Sequence, residues 1–571
     1  MGQSVVSKRW HSSYPDYVRK EVDIPDITLS QVLENTVYQF PDNLAISYRG
    51  QVLTYTELKK QVDEFASALQ QSGIQKGDRV AILMPNCTQY VVTYFGILAA
   101  GGIIVQINPL STERELQYII ENSGAETIIA LDTLHPVVNA VMNLRNTIWV
   151  SLQKNEGDIP AGQSFEAFMQ KSTGQIEPPE MNPAEDTAVI QYTGGTTGRS
   201  KGAMLTHRNL VANIEQHHEL YRSFMFSGVE RVLIVLPLFH VYGMTICMNL
   251  GIRQGSCLIL MERFDPDKVL ETIKREQPTR FPGVPTMYVA LNAHHKLMES
   301  GLDSIKFFQC GGAPMPIEII HEFERKTGGK ISESYGLSEA SPGALGQPST
   351  DRRKLGTIGV PVPSSDCKIV DLTTGTQELP PGEVGELILK GPHVMKGYWN
   401  MPEETAAALR DGWLYTGDVA TMDEDGYVYI VDRKKDIIIA SGFNVYPREV
   451  EEVLYEHPAI LEAVVIGVED EYRGETVKAF VVLREGAQAM AEDLIAHCKK
   501  YLSPYKVPKI VEFRSSLPKT NVGKLLRRAV TANPYWPEYD SVRCPRFARN
   551  RVLSEEIRGK VSTDDFPSAC R

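Results

Sequence analysis

One short run, Tyr192-Thr193-Gly194-Gly195-Thr196-Thr197-Gly198-Arg199-Ser200-Lys201-Gly202, concentrates groups that hold anions. Three threonines and a serine supply hydroxyl donors. Four glycines let backbone N–H groups approach a ligand closely, and Lys201 adds a point charge. The spacing is not GxxxxGK[ST], because no glycine directly precedes the lysine and no Ser or Thr follows it. A stretch rich in glycine and threonine is more often a flexible loop than a cradle. Here Ala188-Val189-Ile190-Gln191-Tyr192 reads as a buried strand before it, and Leu205-Thr206-His207-Arg208-Asn209-Leu210 as a helix start after it. Strand, loop, helix is the context of a nucleotide phosphate site.

Further stretches follow in order. Tyr335-Gly336-Leu337-Ser338-Glu339 comes after Cys310-Gly311-Gly312-Ala313-Pro314. Tyr415-Thr416-Gly417-Asp418 comes after Asp411-Gly412-Trp413-Leu414, and Asn521-Val522-Gly523-Lys524-Leu525-Leu526-Arg527-Arg528 lies near the end. Together these resemble the adenylate-forming superfamily of acyl-CoA synthetases, luciferases and peptide-synthetase adenylation domains, over about Trp10 to Arg528. The resemblance implies roles position by position. Thr193, Gly194, Gly195, Thr196, Thr197, Gly198 and Lys201 would hold the β- and γ-phosphates of ATP. Tyr335 would stack on adenine, bordered by Gly312 and Ala313, with Ser334, Gly336 and Ser338 beside it. Glu339, with Thr196, would hold Mg²⁺. Asp418 and Arg433 would bind the ribose hydroxyls. Lys524 would bridge the substrate carboxylate and ATP, and Lys435 would be the hinge between domains. His240 would lie beside the acyl carboxylate. Such roles fit elementary electrostatics, because carboxylate attack on a phosphate brings anions together and needs cations to offset repulsion.

The segment from Val105 to Leu116 and the opening Trp10, Tyr14-Pro15 are similar to bacterial long-chain fatty acyl-CoA synthetases. Ser111 and Gly243-Met244 depart from that subfamily's pattern and bear on chain length, not on the reaction. The implied chemistry is attack of a fatty carboxylate on ATP to give acyl-AMP and PPi. Rotation about Lys435 then removes Lys524 and brings up the face around Ser441-Gly442-Phe443, and the CoA thiol takes the acyl group. Gly243, Gly311 and Gly312 are expected to leave a tunnel open for the alkyl chain. Competing readings are an aromatic-acid ligase of the coumarate type, a ligase serving a carrier protein, and a non-catalytic acyl or nucleotide sensor. Joint retention of Lys524, Lys201, Glu339, Asp418 and Arg433 speaks against the sensor.

The elements that must position these residues alternate. Helix 55–70, strand 79–83, helix 89–100, strand 103–107, helix 113–121 and strand 127–130 make βαβ units, and similar alternation runs from 186 to about 340. Beyond Gly356 the texture becomes antiparallel, with strands 368–370, 385–389 and 426–430. A compact unit follows, with helix 447–454, strands 463–466 and 477–483, and helix 491–501. The expected fold class is α/β. A large N-terminal adenylation domain (1–434) has parallel-rich sheets, flanking helices and a small β subdomain. A small mobile α+β C-terminal domain (435–530) and an atypical tail (531–571) complete it. Activity is expected to survive deletion of the tail after about residue 535.

A formal net charge of −12 argues against a nucleic-acid binder. Eight scattered cysteines with no CxxC pair read as reduced thiols. No signal peptide is read at the start, and the apolar runs Val91 to Ile107 and Val232 to Ile252 carry glycines and polar groups, so both are expected to be buried elements rather than membrane spans. The expected location is cytoplasmic. Peripheral contact with the inner face of a membrane and a homodimer are both compatible with the substrate class.

Overall fold

The computed structural model describes residues 8–152, 161–193, 200–440, 443–470, 474–520 and 525–532. Two large sheets dominate it. In the eight-stranded sheet, Lys201–Thr206, Thr187–Thr193, Ile103–Gln106, Arg79–Leu83, Thr127–Leu131 and Asn146–Val150 lie in that order, closed at the ends by Gly397–Tyr398 and Gln163–Ser164. Its inner strands run parallel and read as unbroken apolar runs, as strands buried on both faces must. In the nine-stranded sheet, Ile331–Gly336, Phe307–Cys310, Arg280–Gly283, Arg231–Ile234, Cys257–Leu260 and Leu44–Tyr48 run parallel, with antiparallel edges at both ends.

Helix starts are written locally. Thr54 accepts the N–H of Glu57 while Glu57 reaches back to the Thr54 N–H, and Thr112 and Glu115 repeat the arrangement. Each pair satisfies two backbone donors that a helix end leaves open. The apolar run Val91 to Ile107 is the helix Thr88–Ala99 and the strand Ile103–Gln106. The run from Val232 is the strand Arg231–Ile234, the π-helix Tyr242–Asn249 and the helix Leu250–Arg253. No described helix is long and apolar enough to cross a membrane.

The structure has the helix start where the sequence places it, within 205–210, but sets an unexpected second strand between the phosphate-loop segment and that helix. Lys201–Thr206 pairs antiparallel with Thr187–Thr193, with Thr193 opposite Lys201, and the helix begins at His207. Alternation of Gly202, Met204 and Thr206 with Ala203 and Leu205 suits a strand. The cap is Thr206, whose hydroxyl accepts the Asn209 N–H at 3.1 Å.

The remaining sheets are smaller. An antiparallel sheet joins Asp366–Val370, Gly385–Lys390, Trp413–Met422 and Val428–Arg433. A second joins Phe443–Val445, Ile438–Ala440, Gly474–Leu483 and Ile460–Asp470, with Ile510–Phe513 parallel to Gly474–Leu483. One apolar core binds the nine-stranded sheet to its helices and to the first small sheet, and a separate core, from Ile438 to Val507, belongs to the last sheet.

Candidate active site

Two clusters meet in a cavity of about 580 Å³. The first gathers charge at the mouth of the hairpin. Lys201, the first residue of its strand, holds its ammonium 5.1 Å from the ring centre of Tyr398. The Tyr398 hydroxyl donates to Glu339 Oε1 at 2.7 Å. Tyr398 is delivered by the two-residue strand Gly397–Tyr398, which pairs with Ala203 and Met204 on the hairpin. Glu339 sits in the turn Ser338–Ala340, tied to the same segment by the Met395 N–H at 2.8 Å. Burial, then the Glu339 charge, pushes the Tyr398 hydroxyl well above its ordinary value, so it stays a donor. Thr193 lines the cavity, and its carbonyl accepts the Ser200 hydroxyl at 2.5 Å.

The second cluster lines the same cavity. The Tyr335 hydroxyl donates to Asp418 Oδ2 at 2.5 Å, and Arg433 Nε lies 3.5 Å from Asp418 Oδ1. Asp418 and Arg433 are direct antiparallel partners, which is why charges fifteen positions apart in sequence share one spot. Gly417 takes φ +73°, the left-handed region that favours glycine, and its N–H donates to Glu386 Oε1 at 3.1 Å. Glu386 also holds Lys434 at 3.1 Å. Burial and the neighbouring Asp418 raise the Tyr335 hydroxyl well above its usual value.

Between the clusters run Gly312, Ser334, Gly336 and Ser338. Gly336 is obligatory, since a Cβ there would stand 2.3 Å from the Pro342 carbonyl oxygen. Ala313 lines a neighbouring cleft of about 1550 Å³, which also reaches Arg433, Lys435 and Arg448. His240 lines both spaces, and its Nδ1 accepts the Tyr242 N–H at 3.3 Å. The same wall carries the apolar side chains of Leu236, Val241, Ile246 and Val284. His217 lines this part too, and burial lowers it to about 4, so it is neutral at pH 7.

The expected glycine tunnel needs correction at one position. Gly243 does not line the cavity. A Cβ there would stand 2.2 Å from the Pro237 carbonyl oxygen, so its smallness lets the π-helix close on the chain before it. Gly311 and Gly312 do line the cavity. Gly194, Gly195, Thr196, Thr197, Gly198, Gly442 and Lys524 lie outside the described residues. Tyr398 and Glu386 were not found by reading the sequence. The only signal for Tyr398 is an aromatic pair, Tyr398-Trp399, after Lys396-Gly397.

A family model described as AMP-binding enzyme matches residues 33–399, and one described as AMP-binding enzyme C-terminal domain matches 449–524. The chain is 48% identical to a long-chain-fatty-acid–CoA ligase of Bacillus subtilis (strain 168), over 91% of this chain and 97% of that one. It is 39% identical to a feruloyl-CoA synthase of an Amycolatopsis species, over 86% and 96%. Among solved structures it is similar to ATP-bound MatB from Rhodopseudomonas palustris, with a TM-score of 0.80 and 32% identity, over 88% of this chain and 98% of that one.

Proposed function

The chain belongs to the AMP-binding enzyme family, and from that premise we propose that it activates a medium- to long-chain fatty acid with ATP and transfers it to CoA. The observation that carries this reading is one cavity lined by a Tyr–Asp–Arg cluster, a Lys–Tyr–Glu cluster, His240 and the apolar side chains of Leu236, Val241, Ile246 and Val284.

In the first half-reaction a carboxylate oxygen attacks the α-phosphorus of ATP, and the bond to the β-phosphate oxygen breaks to release PPi. Tyr335 presents its ring to adenine. Asp418 offers two carboxylate oxygens to the adjacent ribose hydroxyls, and Arg433 holds that carboxylate in place. Lys201 offsets phosphate charge, with Thr193 and Ser200 supplying hydroxyls. Lys524 would offset charge between the two reacting anions, and Thr196 and Thr197 would add donors to the phosphates. In the second half-reaction the CoA thiol gives up its proton, sulfur attacks the acyl carbonyl, and AMP leaves. His240, which lines the cavity, would lie beside the acyl carboxylate.

The residues present suit a magnesium ion. Glu339 lines the cavity in the same cluster as Lys201, apart from the Asp418–Arg433 pair, and Mg²⁺ prefers one or two carboxylates with phosphate oxygens and water. Glu339, with Thr196, would hold it, and when bound it would supply charge neutralisation at the phosphates.

The test is release of AMP and PPi by purified protein with ATP, Mg²⁺ and CoA across acetate, octanoate, palmitate, oleate and 4-coumarate. CoA-dependent turnover highest on the long acids, lost with Lys524→Ala, is the expected result. A second reading, an aromatic-acid ligase, is favoured by the likeness to the feruloyl-CoA synthase. Turnover confined to 4-coumarate would establish it instead.

A further inference from the structure

The sheet face that brings Gln309 and Ser334 to the cavity continues into a polar interior away from the adenylation residues. Gln309 and Ser334 line the cavity from the nine-stranded sheet. Register carries the same face further. Gln309 stands opposite Pro282 and Ser332, and Arg280 stands opposite Phe307. Residues two apart on a strand share a face, so Arg280, Pro282, Phe307, Gln309, Ser332 and Ser334 form one surface.

Arg280 is 1% exposed. Its Nη1 donates to Gln254 Oε1 at 3.1 Å, while Nε and Nη2 have no hydrogen-bond partner among the described residues. Glu230, the acid whose field reaches it, is engaged by the Phe226 N–H at 3.0 Å and by the Thr279 hydroxyl. Nearby, Tyr221 Oη reaches toward the Gln309 side chain, and Tyr242 Oη, Gln309 Oε1 and Ser332 Oγ are buried without a hydrogen-bond partner among the described residues. The Tyr221 ring packs on Phe307 with centroids 5.0 Å apart. Tyr242 belongs to both spaces, lining the cavity while its hydroxyl lies among the unpartnered atoms.

A buried cation with open donors is among the costliest arrangements a fold can carry, and an apolar residue would close the end of a carbon-chain channel at lower cost. We propose that this cluster is a subsite for the distal end of an acyl chain that bears a carboxylate, with Arg280 as the residue that selects it. Two open N–H groups on a planar guanidinium match a carboxylate in bidentate geometry. The hydroxyls of Tyr221 and Tyr242 would complete its hydrogen bonds. Arg280 itself does not line the cavity, so admitting the carboxylate would require the Tyr242 ring to turn aside. The inference rests on the reading of the chain as a fatty-acid ligase, and it names α,ω-dicarboxylic acids as a substrate class for the same site.

The experiment compares kcat/KM for acyl-CoA formation on palmitate and on a series of α,ω-dicarboxylic acids of increasing length. The expected result is one length of diacid accepted within about tenfold of palmitate, and loss of at least about tenfold on that diacid in Arg280→Met, with palmitate turnover kept. Should Arg280→Met fold poorly, Arg280→Gln serves in its place. The rise in Tm that the diacid gives the wild-type protein should then be absent in that variant. Rejection of every diacid by a wild-type protein that turns over palmitate overturns the proposal. So does an equal loss on both acids in the variant, which would make the cluster purely structural. No turnover on any acid would remove the ligase reading and the subsite with it.

Discussion

Asp418 carries two bonds before any nucleotide arrives, one from Tyr335 and one from Arg433. Its two oxygens are therefore already oriented toward the cavity, and the Tyr335 hydroxyl is a donor that ribose can replace. Asp418→Ala should raise KM for ATP by about 10- to 100-fold, the scale of one or two hydrogen bonds to a charged group, with a smaller effect on KM for the fatty acid. Steady-state titration of each substrate separates the two. Tyr398 offers the matching test at the phosphate end. Tyr398→Phe keeps the ring under Lys201 and removes only the bond to Glu339. A fall in kcat/KM of about tenfold with KM for the acid unchanged is expected from one charge-assisted hydrogen bond. Unchanged kinetics would show that Glu339 needs no orienting partner.

At the scale of elements, legibility divides along a physical line. Helix 491–501 and strand 79–83 were readable to the residue, because their apolar period and boundaries are local. Asp418, Arg433, Tyr335 and Glu339 stand in quotable motifs, yet what joins them is a hairpin pairing of Asp418 with Arg433 and a side-chain bond from Tyr335 across two sheets, neither of which leaves a period in the sequence. Tyr398 and Glu386 stayed hidden for that reason: each acts through a sheet neighbour, and single residues in short strands leave no period. The strand Lys201–Thr206 stayed unread because Leu205-Thr206-His207 announces the helix that does follow, and the four residues before it alternate too briefly to show as a strand. Gly243 shows how a small residue can be read the wrong way. The π-helix Tyr242–Asn249 closes on Pro237 there, so Gly243→Ala should overpack a buried contact at a cost of about 1–3 kcal/mol. Thermal unfolding would show a lowered Tm, and acyl-chain preference should change less than stability. A variant with wild-type Tm and altered chain-length preference would return Gly243 to the tunnel.

For the whole molecule, the contact between the nine-stranded sheet and the helix Pro447–Tyr455 carries a buried charge problem with a pH signature. Glu333, on the strand Ile331–Gly336, is 6% exposed and lines the large cleft. Burial pushes its carboxyl up to about 8. Arg448, the Gly356 N–H and Arg353 pull the other way, and Glu452, itself raised by burial, adds to the rise. Above the unfolded value, near 4.5, the unfolded chain loses this proton while the folded chain keeps it until about pH 8. The folded state therefore binds more protons across that window, and stability from this group falls as pH rises from about 4.5 to about 8, then levels off. Glu333→Gln keeps an acceptor for the Gly356 N–H, which lies 3.3 Å from Glu333 Oε2, and removes the titration. Its Tm should match the wild type at pH 4.5 and exceed it by a growing margin up to pH 8. Parallel Tm–pH curves for the two proteins would mean that Arg448 holds Glu333 ionised throughout, and that the two parts of the chain meet through a permanent ion pair rather than a shared proton.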